Sequence, residues 1–155
     1  MELMTVIVII GILATLLIQS FDSLRGKAER AKCESNLRSL FVATASYVED
    51  QKTWPQISTQ DYGKPAYVDA WVAALTPYGI ARINWICPSA QRAFENIDYV
   101  AKPRLDYMPT PFGPEPREPY MYSMQPWFIE RGDVHGSGNL MIFTDGKIRA
   151  AKGQN

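Results

Sequence analysis

The sequence predicts an α+β fold: one long N-terminal α-helix, apolar at its start and amphipathic at its end, packed on a small antiparallel β-sheet head. Three observations predict it. Residues 3 to 18 carry no charge and no proline. Residues 19 to 50 again lack proline, and from Cys33 onward their apolar and small residues fall at 33, 37, 40, 41, 44, 47 and 48, a helical period. The last third of the chain alternates apolar, aromatic-rich runs with glycine turns, which is the pattern of short antiparallel strands.

The apolar run from Leu3 to Ile18 holds 16 residues, roughly 24 Å of helix and short of the ~20 residues that span a bilayer unaided. A cleaved secretory signal needs a basic start and a small-residue cleavage site. No base precedes the run, and Gln19-Ser-Phe-Asp-Ser-Leu-Arg25 does not read as such a site. A helix apolar on every side needs a large protein to bury it, and 155 residues are too few. The remaining reading is a membrane anchor whose helix continues into water. Charges begin at Asp22 and continue through Arg38, with Gly26 the only glycine between 19 and 50. One helix from about residue 2 to about residue 51 would be roughly 75 Å long, ending before Trp54-Pro55 because proline biases its predecessor out of the helical region. The expected organisation is therefore a stalk over residues 1–51 and a globular head over 52–155, about enough chain for one core.

Within the head, Asp69-Ala-Trp-Val-Ala-Ala-Leu75 reads as a short helix with Asp69 as its N-cap and Pro77 beyond its end. Six prolines between 103 and 119 predict an extended loop, since proline donates no backbone hydrogen bond. Tyr107, Met108, Phe112 and Tyr120 offer apolar anchors that would pin this loop to the surface rather than leave it a linker. Tyr120 to Ile129, Asn139 to Thr144 and Lys147 to Ala150 read as strands. Asp145-Gly146 is a two-residue hairpin signal between the last two, and Gly136-Ser-Gly138 a tight turn leading into them.

Composition narrows function. Sixteen basic and sixteen acidic residues balance, and no basic patch with interleaved aromatics points to nucleic acid. The sequence shows no nucleophile with a base, paired catalytic carboxylates, phosphate loop or clustered metal ligands, so an enzyme is not expected. Cys33 and Cys87 are the only cysteines; Cys33 sits on the packing stripe of the helix, and Cys87 is expected to begin a Cys-Pro-Ser loop. In an oxidising compartment they would form a disulfide; two buried free thiols are the alternative. Metal binding by this pair is a weak reading, because no histidine lies near either in sequence. For His135, a structural hydrogen bond to backbone or a nearby acid is the leading expectation; calcium or another metal held with Asp133 and Asp145 is the lesser one. No other cofactor is expected.

Glu2 is the exception in an otherwise uncharged segment. A carboxylate at a helix centre in lipid costs about 2.5–3.5 kcal/mol on insertion scales, so such acids mark function. The order Glu2-Leu3-Met4 with Ile9-Ile10-Gly11-Ile12-Leu13 resembles the start of mature type IV pilins and type II secretion pseudopilins. His135, nine residues, then Asp145-Gly146 resembles the H-x9-D-G signature of pilin-like proteins of planctomycetes and verrucomicrobia, as do Arg30 to Leu37, Cys87-Pro-Ser89 and Gln125 to Ile129. The resemblance implies a structural subunit that polymerises through its helix into an extracellular filament, with Glu2 pairing with the free N-terminal amine of a neighbour and Gly11 a place for local melting. It implies residence in the inner membrane before assembly, then the cell surface, and as partners other copies of the chain, a prepilin peptidase and the inner-membrane pilus or secretion machinery. A periplasmic secretion pseudopilus is the alternative, and a monomeric membrane-anchored binding protein a further one. Family precursors carry a basic leader and a few residues before the glutamate. Only Met1 precedes Glu2 here, so the processing site is expected outside this sequence. Gln19 stands roughly where many pilins carry a helix-kinking proline, so no kink is expected there.

Overall fold

The computed structural model describes residues 2–93 and 104–151 and, within the first helix, the side chains of all but residues 2, 3 and 16–20. Helix α1 runs unbroken from Glu2 to Gln51, 50 residues passing through Gly11 and Gln19. It stops where Lys52 turns into the left-handed region at φ 56° and its N–H bonds back to the Val48 carbonyl at 2.9 Å, closing the last turn ahead of Pro55. Along its last third, Cys33, Asn36, Leu37, Leu40, Ala43, Thr44 and Val48 are buried, with Phe41, Ala45 and Tyr47 half-buried beside them. That is the expected stripe, widened by a polar residue: Asn36 donates its amide to the Ile86 carbonyl at 3.1 Å. At the other end, every large apolar side chain described from Met4 to Leu13 is more than half exposed. Among the described residues no helix is long and apolar enough to cross a membrane.

Against the stripe lies a four-stranded antiparallel meander in the order β1 (Tyr107–Pro109), β2 (Pro126–Glu130), β3 (Asn139–Phe143) and β4 (Ile148–Ala151). The proline-rich stretch is thus not all loop. Its residues 107–109 form an edge strand, the position in a sheet where proline is tolerated because its missing donor faces no neighbour. Tyr107 and Phe112 anchor the stretch in the core as expected, whereas Tyr120 is 47% exposed. Between Pro126 and Phe128 the β2–β3 register shifts by one. This bulge lets two successive residues, Trp127 and Phe128, both face inward with no exposed surface.

Three further expectations are corrected. Helix α2 spans Pro65–Leu75, so Asp69 is not its cap; Lys64 precedes it in an extended conformation and Pro65 occupies the first turn, where a missing N–H costs nothing. Asp69 instead pairs with Arg82. Cys87-Pro-Ser does not begin a loop but opens helix α3 (Pro88–Ala93), whose first turn is closed by the Gln91 N–H on the Cys87 carbonyl at 2.9 Å. The β3–β4 connection is a three-residue loop with a glycine bulge rather than a two-residue turn. The Gly146 N–H reaches the Phe143 carbonyl at 2.8 Å, the Phe143 N–H reaches the Lys147 carbonyl at 3.2 Å, and only Gly146, at φ 70°, has positive φ. A two-residue type I′ turn would demand positive φ at Asp145 as well.

A Cβ at Gly146 would stand at an ordinary 3.5 Å from Phe41 Cε1, so the cost of a side chain there is conformational. Gly146→Ala is expected to lose about 1 kcal/mol and Gly146→Asn less, read by urea unfolding of both variants. Equal stability of Gly146→Ala and the parent would contradict the assigned turn.

The core is aromatic. All four tryptophans are buried, with Trp54 edge-on to Phe112 at 4.8 Å, Trp127 at 5.2 Å and Trp71 at 6.2 Å. Phe128 joins Trp71 and Trp85 from the sheet.

Candidate functional site

A buried group of sulfur, carboxylate and imidazole lies where α1, α3 and the sheet meet. Cys33 comes from the stripe of α1 and Cys87 from the residue before α3. The two are joined as a disulfide with Cα atoms 5.3 Å apart, a normal span for such a bond. Glu130 ends β2. It follows Phe128 by two positions, so the strand period turns it to the core face, and it is 1% exposed. His135 comes from the loop between β2 and β3, its side chain 2% exposed.

Their contacts are short and converge. His135 Nε2 lies 3.0 Å from Glu130 Oε1 and 3.7 Å from Cys87 Sγ. The second carboxylate oxygen of Glu130 accepts the Leu140 N–H at 3.2 Å. One donor atom from each of Cys33, Cys87, Glu130 and His135 lies within 4.8 Å of all the others. Beside them, Asp106, 1% exposed, accepts the Cys87 N–H at 2.9 Å and pairs with Arg104 at 2.6 Å. The Asp106 carbonyl takes the Arg131 N–H at 2.7 Å, fixing the start of the histidine loop. At the far side of that loop, Arg30 of α1 holds Ser137. The loop is thereby tied to the helix that carries Cys33.

Burial pushes the Glu130 carboxyl above the ordinary range, because a charge in low dielectric loses its hydration. A protonated His135 and the Leu140 N–H would pull it back in part. Burial likewise raises Asp106, opposed by the Cys87 N–H and Arg104, and raises the Tyr107 phenol well beyond its usual range.

The residues expected from the sequence divide. His135 does meet an acid, but it is Glu130. Asp133 accepts the Ser137 N–H at 3.0 Å, and Asp145 accepts the Lys147 N–H at 3.0 Å and pairs with Arg149 at 2.9 Å. Each aspartate thus stabilises its own turn, and the set Asp133, His135, Asp145 is not assembled as a calcium or other metal site. The cysteines, with no histidine near them in sequence, have one in the fold: 48 residues separate Cys87 from His135, yet folding places them in contact. Glu130 and Asp106 were missed altogether. The signal for Glu130 was the strand alternation carried one residue past Ile129; nothing local marked Asp106. Gly11 sits within α1 with no neighbour against it, and the side chain of Glu2 lies outside the described residues.

Comparison with protein-family models, with curated proteins and with solved structures finds no match to this chain.

Proposed function

We propose that this chain is a pilin-like structural subunit that polymerises through its N-terminal helix into an extracellular filament. One observation carries the reading: a single 50-residue helix is divided between an exposed apolar end and a buried stripe. Exposed apolar side chains on every side of a helix need either lipid or neighbouring helices to cover them. Sixteen residues make a marginal anchor, and packing among copies of the same helix meets the remaining need. The head has its own core and leaves the apolar end free for that packing. The exposed side chains of Tyr120, Met121, Tyr122 and Met124 provide a surface for contacts between adjacent heads. Glu2 sets register by pairing with a neighbour's N-terminal amine, an attraction far stronger in low dielectric than the ~1 kcal/mol available at 4 Å in water. No catalytic role is proposed.

Negative-stain microscopy of the purified protein is expected to show filaments, and Glu2→Ala or Glu2→Gln to give membrane-associated subunits with none. Normal filaments from either variant would overturn the registration role. Monomers alone from the parent chain would favour a membrane-anchored binding protein. Loss of protein secretion on deletion, without surface filaments, would favour the secretion pseudopilus.

A further inference from the structure

A disulfide needs neither a buried carboxylate nor an imidazole beside it, and this one has both. Four elements converge on the same small volume: α1 with Cys33, the entry to α3 with Cys87, the end of β2 with Glu130 and the following loop with His135. Two arrangements of chemistry compete. In a thiol activated by a histidine and oriented by an acid, the imidazole uses one nitrogen for the sulfur and the other for the carboxylate. Here the same nitrogen, Nε2, faces both Glu130 Oε1 and Cys87 Sγ. That geometry is not a relay. It is a set of four potential ligand atoms within 4.8 Å of one another.

We propose that the reduced chain binds one zinc ion through Cys33 Sγ, Cys87 Sγ, His135 Nε2 and the Glu130 carboxylate, and that disulfide formation releases it. Two sulfurs, one imidazole and one carboxylate suit zinc, a borderline-soft ion that accepts all three donor types in a tetrahedron, whereas calcium takes oxygen alone. With zinc bonds of the usual length, adjacent ligand atoms in such a tetrahedron stand about 3.3–3.8 Å apart. The Nε2–Cys87 Sγ separation of 3.7 Å already fits, and reduction frees the two sulfurs to part to the same spacing. The Leu140 N–H on the second carboxylate oxygen orients Glu130 as outer-shell donors orient metal ligands.

Zinc binding to the two thiols releases their protons. Release of the ion is a two-electron exchange with a disulfide oxidant. The two zinc-bound thiolates give up two electrons and form the Cys33–Cys87 bond. The oxidant's own disulfide accepts them and leaves as two thiolates, and zinc departs as Zn²⁺. A dithiol reductant reverses the step. The site would thereby hold the head together on α1 before oxidation, and the disulfide would take over afterwards.

The test uses the full chain in detergent, reduced by a phosphine and titrated anaerobically with Co²⁺ as a spectroscopic stand-in. One equivalent is expected to bind with the visible bands of tetrahedral cobalt and the near-ultraviolet charge transfer of thiolate ligation, and one Zn²⁺ is expected to displace it. The oxidised chain is expected to bind neither ion. His135→Ala and Glu130→Gln, purified oxidised so that the disulfide keeps them folded and then reduced, are expected to lose at least about tenfold in zinc affinity. Absence of the cobalt spectrum in the reduced parent would overturn the proposal, as would zinc affinity unchanged in both variants.

Discussion

Trp54→Ala is expected to lose about 4–5 kcal/mol of stability, near the top of what one core truncation costs. Trp54 is fully buried just past the end of α1 and touches aromatic rings from three directions: Trp71 from α2, Phe112 from the proline-rich stretch, and Trp127 and Phe128 from the sheet. Removing it opens a void that three separate elements must collapse into. Rigid aromatic walls relax poorly, so the cavity cost adds to the lost transfer energy. Since domains are stable by only about 5–15 kcal/mol, the variant should lose from about a quarter to nearly all of its stability. Its indole N–H donates to no acceptor among the described residues, so Trp54→Phe should cost much less than the alanine variant. Urea unfolding of the three proteins measures both differences. A Trp54→Ala midpoint close to that of the parent would show that this cluster is not the core.

The second large effect concerns the disulfide. Cys33 and Cys87 are 54 positions apart, and closing a loop of that length stabilises the fold by about 4 kcal/mol in the chain-entropy view. The double variant Cys33→Ser/Cys87→Ser is expected to lose about that much relative to the oxidised parent. For a chain of this size that corresponds to roughly 10 °C or more in melting temperature. Both proteins must be melted without reductant and with a chelator present, so that neither reduction of the parent nor bound metal enters the comparison. The bond also fixes α3 against α1, where Glu29 binds Arg92 and accepts from Ser89, each at 3.1 Å. These contacts are partly exposed and contribute little alone. A loss below about 1 kcal/mol in the double variant would therefore mean that packing, and not the cross-link, holds the two helices together.

How much of this was legible in the chain can be judged element by element. The limits of α1 were legible because a proline-free stretch with a helical stripe is a strong local signal, and Pro55 ends it. The last two strands were legible from alternation and glycine turns, but the strand expected from Tyr120 begins only at Pro126, because Glu118–Met121 forms a short helix with Pro119 in its first turn. The helix α2 was misplaced at its start because Asp69 mimics a cap by residue type, while Pro65 sets the actual start by geometry. The edge strand at Tyr107 was hidden among prolines, whose tolerance depends on having no sheet neighbour on one side. That condition cannot be seen in one dimension.

The sequence by itself determined the long helix, its division into an apolar end and a packing stripe, and the antiparallel head, and it singled out Cys33, Cys87 and His135. Those features rest on backbone preference and on periodicity, which act over a few residues. Only the tertiary structure decided which acid meets His135, that Asp133 and Asp145 are spent on their own turns, and that Glu130, Asp106 and the two cysteines share one buried volume. The cluster is built from residues 33, 87, 130 and 135, brought together by the packing of a helix on a sheet. Burial and proximity then set its chemistry, and both are properties of the folded chain rather than of any segment in it.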